Sequence, residues 1–167
     1  MLEHRQQIGE IGCLYHSAFS ITGDTSLLEH VTDSSAARYQ VRLIERGFLT
    51  FTLFCSEPPE PPTSPGYWGR LRARFARDNA TPERHAPLLV SIPGVTPGWL
   101  HQVAVLLPAH AGESLVCVSD SNFAHNNWMT WEEFLPSVYA RAHRIEMLGP
   151  LDLDAYPAAT HAPGGTP

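Results

Sequence analysis

The chain reads as a single α+β domain, a short helical part followed by an antiparallel sheet. Two observations predict this class. Helix-type spacing and helix caps fill residues 13–46, whereas residues 87–120 are dominated by short apolar runs separated by turn residues. Strands and helices do not alternate regularly, so a parallel βαβ sheet is not expected. At 167 residues the chain suits one domain with a substantial core, assigned to residues 1–156.

The elements follow in order. In "CLYHSAFSI", Leu14, Ala18 and Ile21 share one helical face, and Gly23 follows its end. "TSLLEH" offers Ser26 and Glu29 as the capping box of a second short helix. Asp33 or Ser34 is placed to cap "SSAARYQVRLIER", which stops at Gly47. "FLTFTLF" then alternates Leu49, Phe51 and Leu53 with Thr50 and Thr52, the period of a strand.

Composition changes sharply at "SEPPEPPTSP", where proline fixes φ and removes backbone donors. Residues 57–83 are therefore expected to be an insertion, a Pro-rich loop leading into a helix, "YWGRLRARFARD". That helix has Trp68, Leu71 and Phe75 on one side and Arg70, Arg72, Arg74 and Arg77 on its polar side. Beyond it, "PLLVSI", "HQVAVLL" and "SLVCVS" read as strands, with "GVTPG" and "PAHAGE" between them. Thr130 and Glu133 form a capping box for "MTWEEFLPSVYA", and "HRIEML" is the last strand. Residues 157–167 have no apolar pattern and are expected to be a disordered tail.

Charge and cysteine usage narrow the functional classes. The net charge of -6, with 11 basic residues (all Arg) against 17 acidic ones, lacks the positive field that nucleic-acid binding requires. No apolar run approaches membrane-spanning length, and "MLEHRQQIGE" lacks a signal-peptide pattern, so a cytoplasmic protein is expected unless a specialised route exports it. Cys13, Cys55 and Cys117 are too few and too odd in number for a disulfide framework. Cys55 and Cys117 fall within apolar strands and read as inert buried thiols. No zinc-type spacing is present, and neither metal nor cofactor is expected.

Cys13 differs from the other two. It sits where a loop with Gly9 and Gly12 enters a helix, and the positive end of the helix dipole favours thiolate over thiol. Gln7, six residues upstream, carries an amide able to donate to an oxyanion beside that sulfur. His101 opens one apolar strand and Asp120 closes another. With a symmetric turn over Pro108–Glu113, paired positions sum to 221 and His101 lies opposite Asp120, while Asn122 opposes Trp99. Both residues then line up with Val103, Val105, Val116 and Val118, a face for which the Cys13 helix is the expected cover. Cys13, His101 and Asp120 thus read as nucleophile, base and orienting acid, with His16, one turn after Cys13, as a rival base.

The segments "QIGEIGC", "PLLVSI…WLHQVAVLL" and "LVCVSDSN…MTWEEFL" together resemble the papain-like cysteine peptidases, most closely the bacteriocin-leader (double-glycine) peptidases and their stand-alone relatives. The chain has Gly12-Cys13-Leu14 where that family carries Asp-Cys-Gly. The resemblance implies a papain-like fold, with the N-terminal helical part bearing the nucleophile packed on the C-terminal sheet. It also implies Gln7 as oxyanion donor, Cys13 as nucleophile, His101 as base and Asp120 as acid. The implied activity is thiol-dependent hydrolysis of a peptide or isopeptide bond in a peptide or protein substrate. The same residues serve amidases, transglutaminases and acyltransferases, including secreted effectors acting on peptidoglycan or host protein. A catalytically silent binding module using the Arg-rich helix is the alternative of a different class.

Overall fold

The computed structural model describes residues 1–9, 11–55, 86–107 and 115–150. The Pro-rich insertion, the Arg-rich helix, the Pro108–Glu113 turn and the C-terminal tail lie outside the described residues. Within them, helix α1 (Cys13–Thr22), a 3-10 helix (Thr25–His30) and α2 (Ala36–Glu45) precede strand β1 (Phe48–Cys55). There follow β2 (Ala86–Pro93), β3 (Leu100–Leu107), β4 (Leu115–Ser119), β5 (Asn127–Thr130), α3 (Trp131–Ser137), a 3-10 turn (Tyr139–Arg141) and β6 (Arg144–Pro150). The six strands form one sheet in the order β1-β6-β2-β3-β4-β5, and every neighbouring pair is antiparallel. The α+β class is therefore observed. β5 is an addition, in a segment whose first residues "NW" carry no alternating signal and whose last ones had been assigned to the helix.

Local capping explains the helix boundaries and corrects two of the expected caps. The first 3-10 helix is capped by Asp24, whose Oδ1 accepts from Ser26 N at 2.9 Å, so Ser26 receives the cap instead of supplying it. α2 is capped by Ser35, whose Oγ accepts from Arg38 N. Asp33 holds the turn before it by accepting from Ser35 N at 2.9 Å. The Thr130–Glu133 capping box of α3 is present in both directions.

The sheet has a helical layer on each face. Val103, Val105, Val116 and Val118 pack with Leu88, Val90 and Ile145 beneath Phe134, Val138 and Tyr139, so α3 and its 3-10 turn cover that face. α1 lies on the opposite face, where Tyr15 and Ala18 join Leu27, Tyr39, Leu43, Leu89 and Leu148. The expected cover of the valine face by α1 is thus corrected. α1 presents Ser17 to the sheet, and a hydroxyl suits the polar Gln102 there better than an all-valine surface. Ser17 Oγ donates to Gln102 Oε1 at 2.7 Å, and Tyr39 Oη donates to the same oxygen at 3.4 Å, all three residues buried. Buried polar atoms need such partners, and losing one costs about 1–3 kcal/mol. The pair therefore pins α1 along β3.

The β3–β4 register also differs from expectation. Ala104, Val105 and Leu106 pair with Ser119, Val118 and Cys117, so paired positions sum to 223. Extended, this register sets Asn122, not Asp120, across from His101. A slip of two leaves the paired side chains on their expected face, because the side-chain period of a strand is two; α1 lies on the other face, so Cys13 meets His101 at the start of β3 and not across the valine surface.

Candidate functional site

Cys13 is the first residue of α1 and is held there by Gly12. Gly12 has φ +112°, and a Cβ on it would lie 2.8 Å from the Val31 carbonyl oxygen. Only glycine meets both conditions without strain. Glycine also leaves the helix start without a side-chain cap, so the Leu14 N–H, which has no intrahelical acceptor, is left for the sulfur.

The thiol interacts with three donors. Burial pushes its pKa up, but the His101 ring and the backbone N–H groups of Gln102 and Leu14 interact with the sulfur and bring the pKa below the ordinary value. His101 shows the complementary behaviour. Burial pulls it down, yet its hydrogen bonds to Asp120 and Cys13 raise its pKa to about 9. Its Nε2–H donates to Asp120 Oδ1 at 2.7 Å, with both side chains largely shielded from solvent. Asp120 is pushed up by burial and pulled down further by His101 and the Asn122 backbone N–H, so it stays ionised. With Nε2 engaged by Asp120, Nδ1 is the ring nitrogen left for the sulfur. Cys13, His101 and Asp120 form one connected chain that favours thiolate, imidazolium and carboxylate together.

Asp120 reaches His101 although the register slips because it lies one residue beyond the end of β4. Its carboxylate is held by a tight turn: Phe123 N donates to Asp120 O, and Asn122 N donates to Asp120 Oδ1 at 2.9 Å. Asn122 Nδ2 lies 3.2 Å from His101 Nε2. Sequence reasoning set Asn122 opposite Trp99; the two-residue slip moves it to the imidazole.

Gln7 joins this group through Asn122. Its Nε2 donates to Asn122 Oδ1 at 3.1 Å and to Gly9 O at 3.0 Å, while its Oε1 accepts from Ser121 Oγ at 2.8 Å. Both amide hydrogens are thus engaged within the loops, and Gln7 holds the turn that carries Asp120 and Asn122. To donate to an oxyanion it would first have to release one of these partners.

His16, the rival base, does not act on the sulfur. Its ring is buried, and burial outweighs a hydrogen bond to the Arg5 backbone to lower its pKa. His4 was not singled out by its sequence context, yet it braces the same turn. Its Nδ1 lies 2.9 Å from Ser119 Oγ, and its Nε2 donates to Phe123 O at 2.9 Å. Nothing local marks it, because its partners are more than a hundred residues away. Cys117 is buried and its thiol is pushed up by that burial; the Cys55 side chain lies outside the described residues. Among the described residues, no cluster of His, Cys, Asp or Glu is arranged to hold a metal. No described helix is long and apolar enough to cross a membrane.

No family model matches the chain, and no curated protein matches it.

Proposed function

We propose that this protein is a cysteine-dependent hydrolase of a peptide or isopeptide bond, with a papain-like arrangement of its site. The observation that carries the proposal is the connected chain Cys13–His101–Asp120, in which a helix-terminal thiol of lowered pKa meets an imidazole of raised pKa backed by a carboxylate. Such a charge pair is the attacking form of a thiol nucleophile.

In the first step the Cys13 thiolate attacks the substrate carbonyl, forming the C–S bond and placing negative charge on the oxygen. The backbone N–H groups of Leu14 and Gln102, which interact with the sulfur, are the donors beside that charge. His101 then gives its proton to the leaving nitrogen, and the C–N bond breaks to leave a thioester. Water, deprotonated by His101, attacks the thioester. The C–S bond breaks, the acid leaves, and thiolate and imidazolium return. Asp120 holds the ring orientation and stabilises its charged form throughout. A primary amine entering in place of water would give acyl transfer through the same steps.

Iodoacetamide labelling at neutral pH, read by peptide mass, tests the proposal at its first requirement. Cys13 is expected to be alkylated faster than Cys55 and Cys117, with the advantage lost in His101→Ala. Equal labelling of the three cysteines in the native protein would count against it.

A further inference from the structure

The turns that surround the proposed site share a chemistry that the site's own residues do not require. Gln7, Asn122 and His101 are linked by direct side-chain contacts, so the loops that carry them meet at one place. Each loop presents exposed apolar side chains beside its functional residue. Ile8, next to Gln7, is 99% exposed, and Phe123, next to Asn122, is 61% exposed. Trp99 and Leu100, just before His101, are 54% and 53% exposed, and Val95 at the tip of the same turn is 98% exposed. Ten large apolar side chains are exposed among the described residues, and these turns hold five of them.

Two of these turns are almost free of charge, whereas the segment leading to Gln7 and Ile8 carries Glu3 and Arg5. Residues 94–100, "GVTPGWL", contain no ionisable side chain, and residues 121–127, "SNFAHNN", contain only His125. The turn before His101 is closed by backbone hydrogen bonds, since Gly94 N donates to Trp99 O at 2.8 Å and Trp99 N to Thr96 O at 3.1 Å. Exposed aromatic side chains concentrated on uncharged loops mark a surface that another molecule covers.

We infer that the site takes a peptide segment whose side chains beside the scissile bond are bulky and uncharged, with Ile8, Trp99 and Phe123 forming its apolar lining. This rests on the hydrolase proposal and names its substrate class. Acidic or basic side chains laid against Trp99 and Phe123 would lose hydration on these two rings. Glycines there would leave the lining without contacts.

The test uses the full-length chain and dipeptidyl chloromethyl ketones, in which the thiolate forms a C–S bond and displaces chloride. Three probes differ only in side chains: Leu-Phe, Gly-Gly and Glu-Asp. The Leu-Phe probe is expected to inactivate Cys13 roughly 10- to 200-fold faster than either other probe, the range that apolar contacts in a pocket provide. Trp99→Ser and Phe123→Ser should each shrink that ratio about 10-fold or more. Val41→Ser, which removes an exposed apolar side chain on α2 instead, should leave the ratio unchanged. Equal rates for the three probes, or preference for Gly-Gly or Glu-Asp, would overturn the substrate class while selective iodoacetamide labelling of Cys13 kept the hydrolase proposal standing. Loss of that selective labelling would overturn both. A dimer abolished by Trp99→Ser, with no probe preference, would assign the surface to a second copy and overturn the inference.

Discussion

Asp120→Asn isolates the electrostatic core of the site. In the wild-type protein His101 holds its proton up to about 9, against an ordinary 6.5. Each pKa unit is worth about 1.4 kcal/mol, so His101 in the site binds this proton about 3 kcal/mol more tightly than a free imidazole in water does. Burial opposes the shift, and the hydrogen bond to Asp120 is the largest contribution that raises it, ahead of Cys13. Both side chains are well shielded, so solvent screening does not erase the effect. The amide keeps the size of the carboxylate and can still accept from Asn122 N, so the turn should survive. If Asp120 supplies half of the gain, the substitution should lower the imidazolium pKa by about one unit or more. The thiolate then loses stabilisation, because a weaker base leaves the proton on sulfur. The assay is Cys13 alkylation rate together with thiolate ultraviolet absorbance, followed from about pH 4 to about pH 10. Wild-type Cys13 should ionise below the ordinary 9.0, and the variant's midpoint should move up toward it. A midpoint that stays put in Asp120→Asn would refute the coupling, and so would wild-type Cys13 titrating at its ordinary value.

Other outcomes follow from the same geometry. The raised His101 stabilises the fold fully below 6.5 and loses that contribution as pH rises through about 9; the depressed Asp120 stabilises above 3.8 and loses its contribution as pH falls through its lower folded value. The wild-type advantage over Asp120→Asn in urea midpoint should thus be largest between 3.8 and 6.5 and shrink on both sides. Gly12→Ala should destabilise by about 2 kcal/mol or more, from positive φ and the approach to the Val31 carbonyl, measured by thermal unfolding. Ser17→Ala should cost about 1–2 kcal/mol, because Gln102 Oε1 keeps only the long Tyr39 bond; urea unfolding reads it. Gln7→Ala should loosen the 120–123 turn, and hydrogen exchange at Asn122 and Phe123 should rise measurably. Unchanged exchange would mean the turn stands without Gln7.

Much of the fold is legible because it depends on near neighbours. The Thr130–Glu133 box, the glycines at 23 and 47, the alternation of β1 and the apolar run of β3 are decided within a few residues, where caps and periodicity act. The face on which His101 and Asp120 lie is equally local, since alternation survives any even slip in register. Their close approach therefore follows from pattern, even though the pairing assumed for it was two residues out.

What the tertiary structure decided is the distant pairing. A symmetric turn over 108–113 set one register, but the number of residues in a turn does not by itself determine which carbonyls meet which amides. The observed pairs place Asn122 across from the imidazole and leave Asp120 to reach it from beyond the strand end. The choice of face for α1 was likewise not written in its apolar spacing, because either face of the sheet offers hydrophobic surface; the buried Ser17–Gln102–Tyr39 hydrogen bonds select one. Gln7 shows the same limit. Its position before Cys13 suggests a free donor, and only contacts to Ser121 and Asn122, more than a hundred residues away in sequence, reveal an amide engaged on all sides. Local chemistry sets which residues can act and on which face they stand, while their partners are set by long-range packing, where burial and polar satisfaction choose among arrangements that the sequence pattern leaves equal.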